Sequence, residues 1–156
     1  MDLKLTTKAQ EALSAAVRAS AAAGHPHTEP AHLLKALTEQ SDTTTGALLQ
    51  ATGSSLAAAA EAARKELASM PSASGSSVSA PGLSRSAMSA LESARELMVS
   101  MGDTYVSTDH LLYGIAKVAG RSLGLDADAI KAAIPTLRGG RQVDSENPEG
   151  TFDALA

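Results

Sequence analysis

Apolar and small residues recur at helical spacing through most of this chain. Ala9, Ala12, Leu13, Ala16 and Ser20 form one stripe, which predicts a helix from about Thr7 to Ala23 ended by Gly24. Thr7-Lys8-Ala9-Gln10 reads as its capping box. A matching stripe, Ala87, Ala90, Leu91, Ala94 and Met98, predicts a helix from about Ser84 to Met101 ended by Gly102. The next helix of each set starts at Thr28-Glu29-Pro30 or Ser107-Thr108-Asp109 and runs to about Leu37 or Val118. Thr28 and Ser107 are the expected caps, and Pro30 suits a first turn. A short third helix is expected over Thr44–Ala51 and again over Gly120–Leu123. A fourth is expected over Ser55–Ala68 and Asp126–Leu137, with Pro135 kinking or ending the last one. Strand signals are weak throughout. The expectation is an all-α fold of eight helices in two sets of four.

The two sets are copies. Residues 5–37 align with residues 83–115 at a constant offset of 78, and Gly24/Gly102 and His32-Leu33-Leu34/His110-Leu111-Leu112 are among the identical pairs. A tandem duplication predicts a pseudo-twofold arrangement of two four-helix units. Repeat one spans 5–68 and repeat two spans 83–138, within a domain of 1–141. Residues 69–82, rich in Ser, Pro and Gly, read as a linker. The polar stretch 142–156 reads as a flexible linker towards a further module, and Phe152 and Leu155 resume an apolar pattern there.

Composition narrows the function. Much of the apolar content is alanine, and the aromatic residues are Tyr105, Tyr113 and Phe152. Such a core needs close helix approach. The net charge is −4 with scattered basic residues, which argues against nucleic acid and anionic membrane surfaces as partners. There is no cysteine, hence no disulfide framework or thiol chemistry. The start lacks a signal-peptide pattern, so a cytoplasmic location is expected. No Gly-x4-Gly-Lys-Ser/Thr phosphate loop occurs, and no cofactor is expected in this domain. His25, His27, His32 and His110 lack the partners of a zinc site. As equivalent repeat positions near helix starts, His32 and His110 read as packing or helix-start residues. A Gly-x-Ser-x-Gly elbow is absent, so catalysis is not expected. Asp103 and Asp109 flank a helix junction, where they fit either helix-start chemistry or the polar rim of a groove. The seam between two repeats is a natural place for a groove taking extended apolar peptide.

The pattern Leu-Thr/Ser, Ala-Leu, Gly and His-Leu-Leu, present twice and joined by a Ser/Pro linker, resembles the Clp N-terminal domain of AAA+ unfoldases and disaggregases. Leu5-Thr6-Thr7-Lys8, Glu29-Pro30-Ala31-His32-Leu33-Leu34-Lys35-Ala36-Leu37 and Leu137-Arg138-Gly139-Gly140 are similar to its ClpB-type disaggregase branch. The resemblance implies a non-catalytic module that captures unfolded or aggregated polypeptide for an ATPase ring. ATP and Mg would belong to that ring, a hexamer working with a DnaK-type chaperone through other domains, while this domain alone would be monomeric. The family's polar site positions fall on Thr6, Asp103 and Asp109, and its apolar groove falls on Leu91, Ser93, Leu97 and His110. Ser93 and His110 predict weaker apolar contact. The alternative is the ClpC-type branch, which binds adaptors and recognises phosphoarginine through a Thr-Glu-His in each repeat. Here those acidic positions are Ala31 and Asp109, which speaks for the ClpB-type reading.

Overall fold

A computed structural model describes residues 3–72, 81–146 and 148. Helices α1 (Thr7–Ala22), α2 (Pro30–Thr38), α3 (Thr45–Ala51) and α4 (Leu56–Ala68) make the first unit. Helices α5 (Arg85–Ser100), α6 (Thr108–Leu123) and α7 (Ala127–Arg138) make the second. Seven helices therefore stand among the described residues, not eight. The missing one is the short segment expected at Gly120–Leu123. It continues α6 across a break at Ala119, whose φ of −135° is not helical. With no loop residues before Gly120, the turn stays joined to its neighbour.

Local caps explain the helix starts. Thr6, not Thr7, caps α1, its Oγ1 accepting from the Ala9 amide at 3.2 Å. Gln10 reaches Ser14 instead of completing a box. Ser84, the repeat equivalent of Thr6, caps α5 in the same way. Glu29, not Thr28, caps α2, because Thr28 is drawn into a two-residue strand. Pro135 does not end α7. The helix runs on to Arg138 and closes on Gly139 with φ 62°.

The repeats interlock across the pseudo-twofold. Strands β1 (His27–Thr28) and β2 (Gly82–Leu83) pair in parallel, placing Thr28 opposite Leu83. The symmetry-related bridge joins Leu5 to Val106. The Ser84 amide donates to Thr28 O at 3.0 Å, and its counterpart, the Thr6 amide, donates to Val106 O at 3.0 Å. Each repeat thus lends its leading strand to the other. One apolar core runs through both units, including Leu33, Leu34, Leu37, Leu48 and Leu49 from the first and Leu111, Leu112, Ile115, Ile130 and Ile134 from the second. Close helix approach is visible at Gly114, where a Cβ would lie 2.1 Å from Ala90 O on α5. Among the described residues no helix is long and apolar enough to cross a membrane.

Candidate binding site

The repeated histidine is a capping residue. In α2, His32 Nδ1 accepts from the Glu29 amide at 2.8 Å. In α6, His110 Nδ1 accepts from the Ser107 amide at 2.9 Å. Both stand at the third helical position, where Glu or Gln usually completes a capping box. With Nδ1 accepting, a neutral ring carries its proton on Nε2. That fixes what each Nε2 needs, and here the repeats part. His32 Nε2 lies 2.8 Å from His25 Nδ1. His110 Nε2 lies 2.7 Å from Asp103 Oδ2. His25 and Asp103 are equivalent positions, so the second copy puts a carboxylate where the first has an imidazole.

Around His110 a buried polar cluster gathers. Arg138 Nε and Nη2 grip both oxygens of Asp109, at 2.8 and 3.0 Å, and Nη1 donates to Asp103 Oδ2 at 2.8 Å. Ser107 Oγ donates to Asp109 Oδ1. The cluster holds two carboxylates against one guanidinium, and the guanidinium is 1% exposed. Burial works against ionised Asp103, but the His110 ring, the Val143 amide and Arg138 outweigh it and hold its carboxyl below the ordinary 3.8. Burial opposes Asp109 likewise and is overcome by His110, Arg138 and Ser107. Burial also opposes the Arg138 charge, and the two carboxylates raise it instead. In the first repeat, where Ala31 replaces Asp109, burial and then His25 push His32 down to about 4, against a smaller opposing effect of Glu29.

The structure brings together Thr6, Asp103, Asp109 and His110, with Thr6 joined through the Val106 backbone just before Ser107. All four are buried. The polar atoms of Asp103, Asp109 and His110 face one another and Arg138, while Thr6 Oγ1 accepts from the Ala9 amide, so none of the four is directed at an open groove. Ser107, Asp109 and His110 do not form a nucleophilic triad. The Ser107 hydroxyl is buried and donates to Asp109, and His110 Nδ1, 3.1 Å from it, already accepts from the Ser107 amide, so the hydroxyl has no substrate access. Among the described residues no group of three His, Cys, Asp or Glu side chains is arranged for a metal ion.

The apolar candidates separate. Leu91 faces the core, and His110, at 0% exposure, lines no cleft. Ser93 and Leu97 do line one, a cleft of about 370 Å³ between α5, α6 and α7 with Glu96, Ser100, Tyr113, Lys117 and Lys131. A larger cleft of about 790 Å³ lies on the seam by β1 and β2, lined by His27, Leu83, Arg85, Met88 and Glu92 among others. It contains none of the seven residues that the resemblance assigns to the binding site.

Arg138 and Ser107 were not among those residues. A signal for Arg138 exists: Ile130, Ile134 and Arg138 continue one helical stripe, so the cation sits where an apolar side chain belongs.

A family model, the Clp repeat (R) N-terminal domain, matches residues 4–124. The chain belongs to this family. It is 42% identical over 158 residues to the chaperone protein ClpB of Corynebacterium glutamicum, covering 96% of this chain and 18% of that protein. It is 39% identical over 156 residues to ClpB of Mycobacterium tuberculosis, with the same coverage. The chain thus spans under a fifth of these relatives' length. Among solved structures it is similar to the Hsp104 N-terminal domain of Candida albicans, with TM-score 0.75, 20% identity and coverage of 94% of this chain and 99% of that one. It is also similar to a ClpV N-domain in complex with a VipB peptide, with TM-score 0.65, 18% identity and 85% coverage of each. The Clp N-domain fold read from the duplication is the fold observed.

Proposed function

We propose that this chain is the substrate-recruiting domain of a ClpB-type ATP-dependent chaperone. It takes exposed apolar segments of unfolded or aggregated polypeptides into the cleft between α5, α6 and α7, and catalyses nothing itself. The observation that carries the reading is the meeting of Ser93 and Leu97 with Tyr113 on one open cleft, on a body whose potential nucleophile is buried. The apolar contribution is small, because Leu97 is 4% exposed and Ser93 is polar. Weak contact suits a module that hands its client on, and several copies around one ring would add avidity. A domain binding a peptide of its own, as in the ClpV–VipB complex, agrees with this use of the fold.

Phosphoarginine recognition is disfavoured on electrostatic grounds. Ala31 supplies no carboxylate, and Asp109 already has a guanidinium on both its oxygens. The test is an NMR titration of the labelled domain with a permanently unfolded polypeptide and, separately, a phosphoarginine peptide. Shifts at Ser93, Leu97, Tyr113 and Lys117 with the unfolded chain alone are expected. Shifts at Ala31 and Asp109 with phosphoarginine would refute the proposal in favour of the ClpC-type reading.

A further inference from the structure

The segment after α7 reads in the sequence as a free tether from residue 142, yet its first residues are fastened to the body. Val143 is wholly buried. Its amide donates to Asp103 Oδ1 at 2.9 Å, and its carbonyl accepts from the Thr104 amide at 2.7 Å. Gln142 Nε2 donates to Met101 O at 3.2 Å. Glu146 O accepts from the Thr7 amide at 2.7 Å, satisfying a donor that the first turn of a helix always leaves without an intrahelical partner.

Asp103 divides its two oxygens between these tasks. Oδ2 receives His110 and Arg138, and Oδ1 receives the Val143 amide. The cluster is therefore the anchorage of the outgoing chain. From this geometry we propose that residues 142–146 are a strap, and that Asp103, Asp109 and Arg138 are positioning residues which set where the tether begins. Arg138 orients Asp103 and Asp109, and Asp103 holds the strap. The chain then passes beside the start of α1, next to Thr6, rather than departing at the end of α7, and Pro148, two residues on, is also buried. Release of the strap lengthens the tether by the five residues 142–146. That is about 17 Å of added reach for an extended chain, which changes the effective concentration of the domain near whatever it is joined to. The inference is independent of whether the α5–α7 cleft binds clients.

The test is amide hydrogen exchange and ¹⁵N relaxation on the 156-residue chain. In the unmodified protein the amides of Thr7, Thr104 and Val143 should be protected together. Asp103→Ala should raise their exchange at least tenfold and make residues 142–146 mobile on the nanosecond scale, with the Ile115 amide in the core unchanged. Asp103→Asn, which keeps an acceptor for Val143, should restore part of the protection. Should Asp103→Ala unfold the body, Val143→Pro removes the strap's donor and leaves the cluster intact. It should free Thr7 and Thr104 in the same way. Solvent-rate exchange at all three amides in the unmodified protein, or undisturbed protection of Thr7 and Thr104 in Val143→Pro, would overturn the proposal.

Discussion

Replacing Arg138 with methionine separates the two energetic roles of the buried cluster. The side chain keeps an apolar stem of similar reach, but the guanidinium goes. Three charge-assisted hydrogen bonds disappear, two to Asp109 and one to Asp103. The two carboxylates then face each other's charge with only His110 and a few neutral donors. Removing one partner of a buried ion pair costs about 3–5 kcal/mol. Against a total stability of about 5–15 kcal/mol for such a domain, the variant should fold but with a marked deficit. The pH dependence makes the test specific. In the unmodified protein Asp103 and Asp109 are held below 3.8 and stay ionised from pH 7 to pH 5. In Arg138→Met the guanidinium's share of the offset to burial is gone while His110, the Val143 amide and Ser107 remain, so both carboxyls should rise from their depressed values. The folded variant then binds more protons than the unmodified fold as pH falls, and its deficit narrows. Urea unfolding followed by circular dichroism should show a deficit of about 3–5 kcal/mol at pH 7, and that deficit should narrow, not grow, on going to pH 5. His32 contributes equally to both proteins and cancels in the difference. A deficit below about 1 kcal/mol at pH 7, or one that grows at pH 5, would refute the account of the cluster.

Other substitutions test the remaining links. Gly114→Ala should cost about 3 kcal/mol or more, since a Cβ 2.1 Å from Ala90 O forces α5 and α6 apart. Thermal unfolding within a degree of the unmodified protein would show that the crossing tolerates the methyl. The folded His32 titrates at about 4 against an ordinary 6.5, so its contribution is complete above pH 6.5 and is lost as pH falls towards 4. The gap is worth about 3 kcal/mol. His32→Gln, which can still complete the capping box, should flatten the stability profile across that window, and an unchanged profile would assign the loss elsewhere. Asp103 and Asp109 contribute at lower pH, since their stabilisation is present above 3.8 and fades only as pH falls through their depressed folded values. Ser93→Leu should tighten binding of an unfolded polypeptide about fivefold, roughly 1 kcal/mol of added apolar contact. Equal affinity in a titration would remove Ser93 from the contact surface.

The sequence carried the helices and the duplication well, for a physical reason. An alanine-rich stripe and an identical glycine at each helix end are local signals, and local signals set helix existence. The departures come from forces that cross between repeats. Thr28 is a good cap by residue type, yet pairing with Leu83 pulls it into a strand and passes the cap to Glu29. Thr7 loses the capping role to Thr6, whose amide is already held by Val106 O on the other repeat. At the site, His110 was readable as a helix-start residue but not as buried in an ionic cluster. That depends on Arg138, 28 positions away, which only the packing of α7 brings near. Leu91 and Leu97 have the same spacing signature and the same depth, 4% exposed each within the core, and only the packing of α6 and α7 beside Leu97 makes it border the cleft as well.

The duplication also shows how one backbone device acquires a second role. Both repeats use a histidine at the third helical position to satisfy the cap amide. That requirement leaves Nε2 as the proton-bearing nitrogen in both neutral rings. In the first repeat the recipient is an imidazole, so a second proton on His32 would be buried beside the His25 ring with only the weaker counter-effect of Glu29. Burial first and His25 second push His32 down to about 4. In the second repeat the recipient is a carboxylate, and a carboxylate has a second oxygen. Once Asp103 is buried, that oxygen needs a donor of its own. Arg138 and His110 occupy Oδ2, and the Val143 amide supplies Oδ1. Exchanging imidazole for carboxylate at one equivalent position thus creates the acceptor that fastens the outgoing chain, without altering the cap that both copies share. His25→Asp in the first repeat should therefore raise the His32 titration towards its ordinary value, because it restores there the anion that His110 already has. If the His32 titration stays near 4 in that variant, followed by NMR, the recipient at Nε2 does not set it.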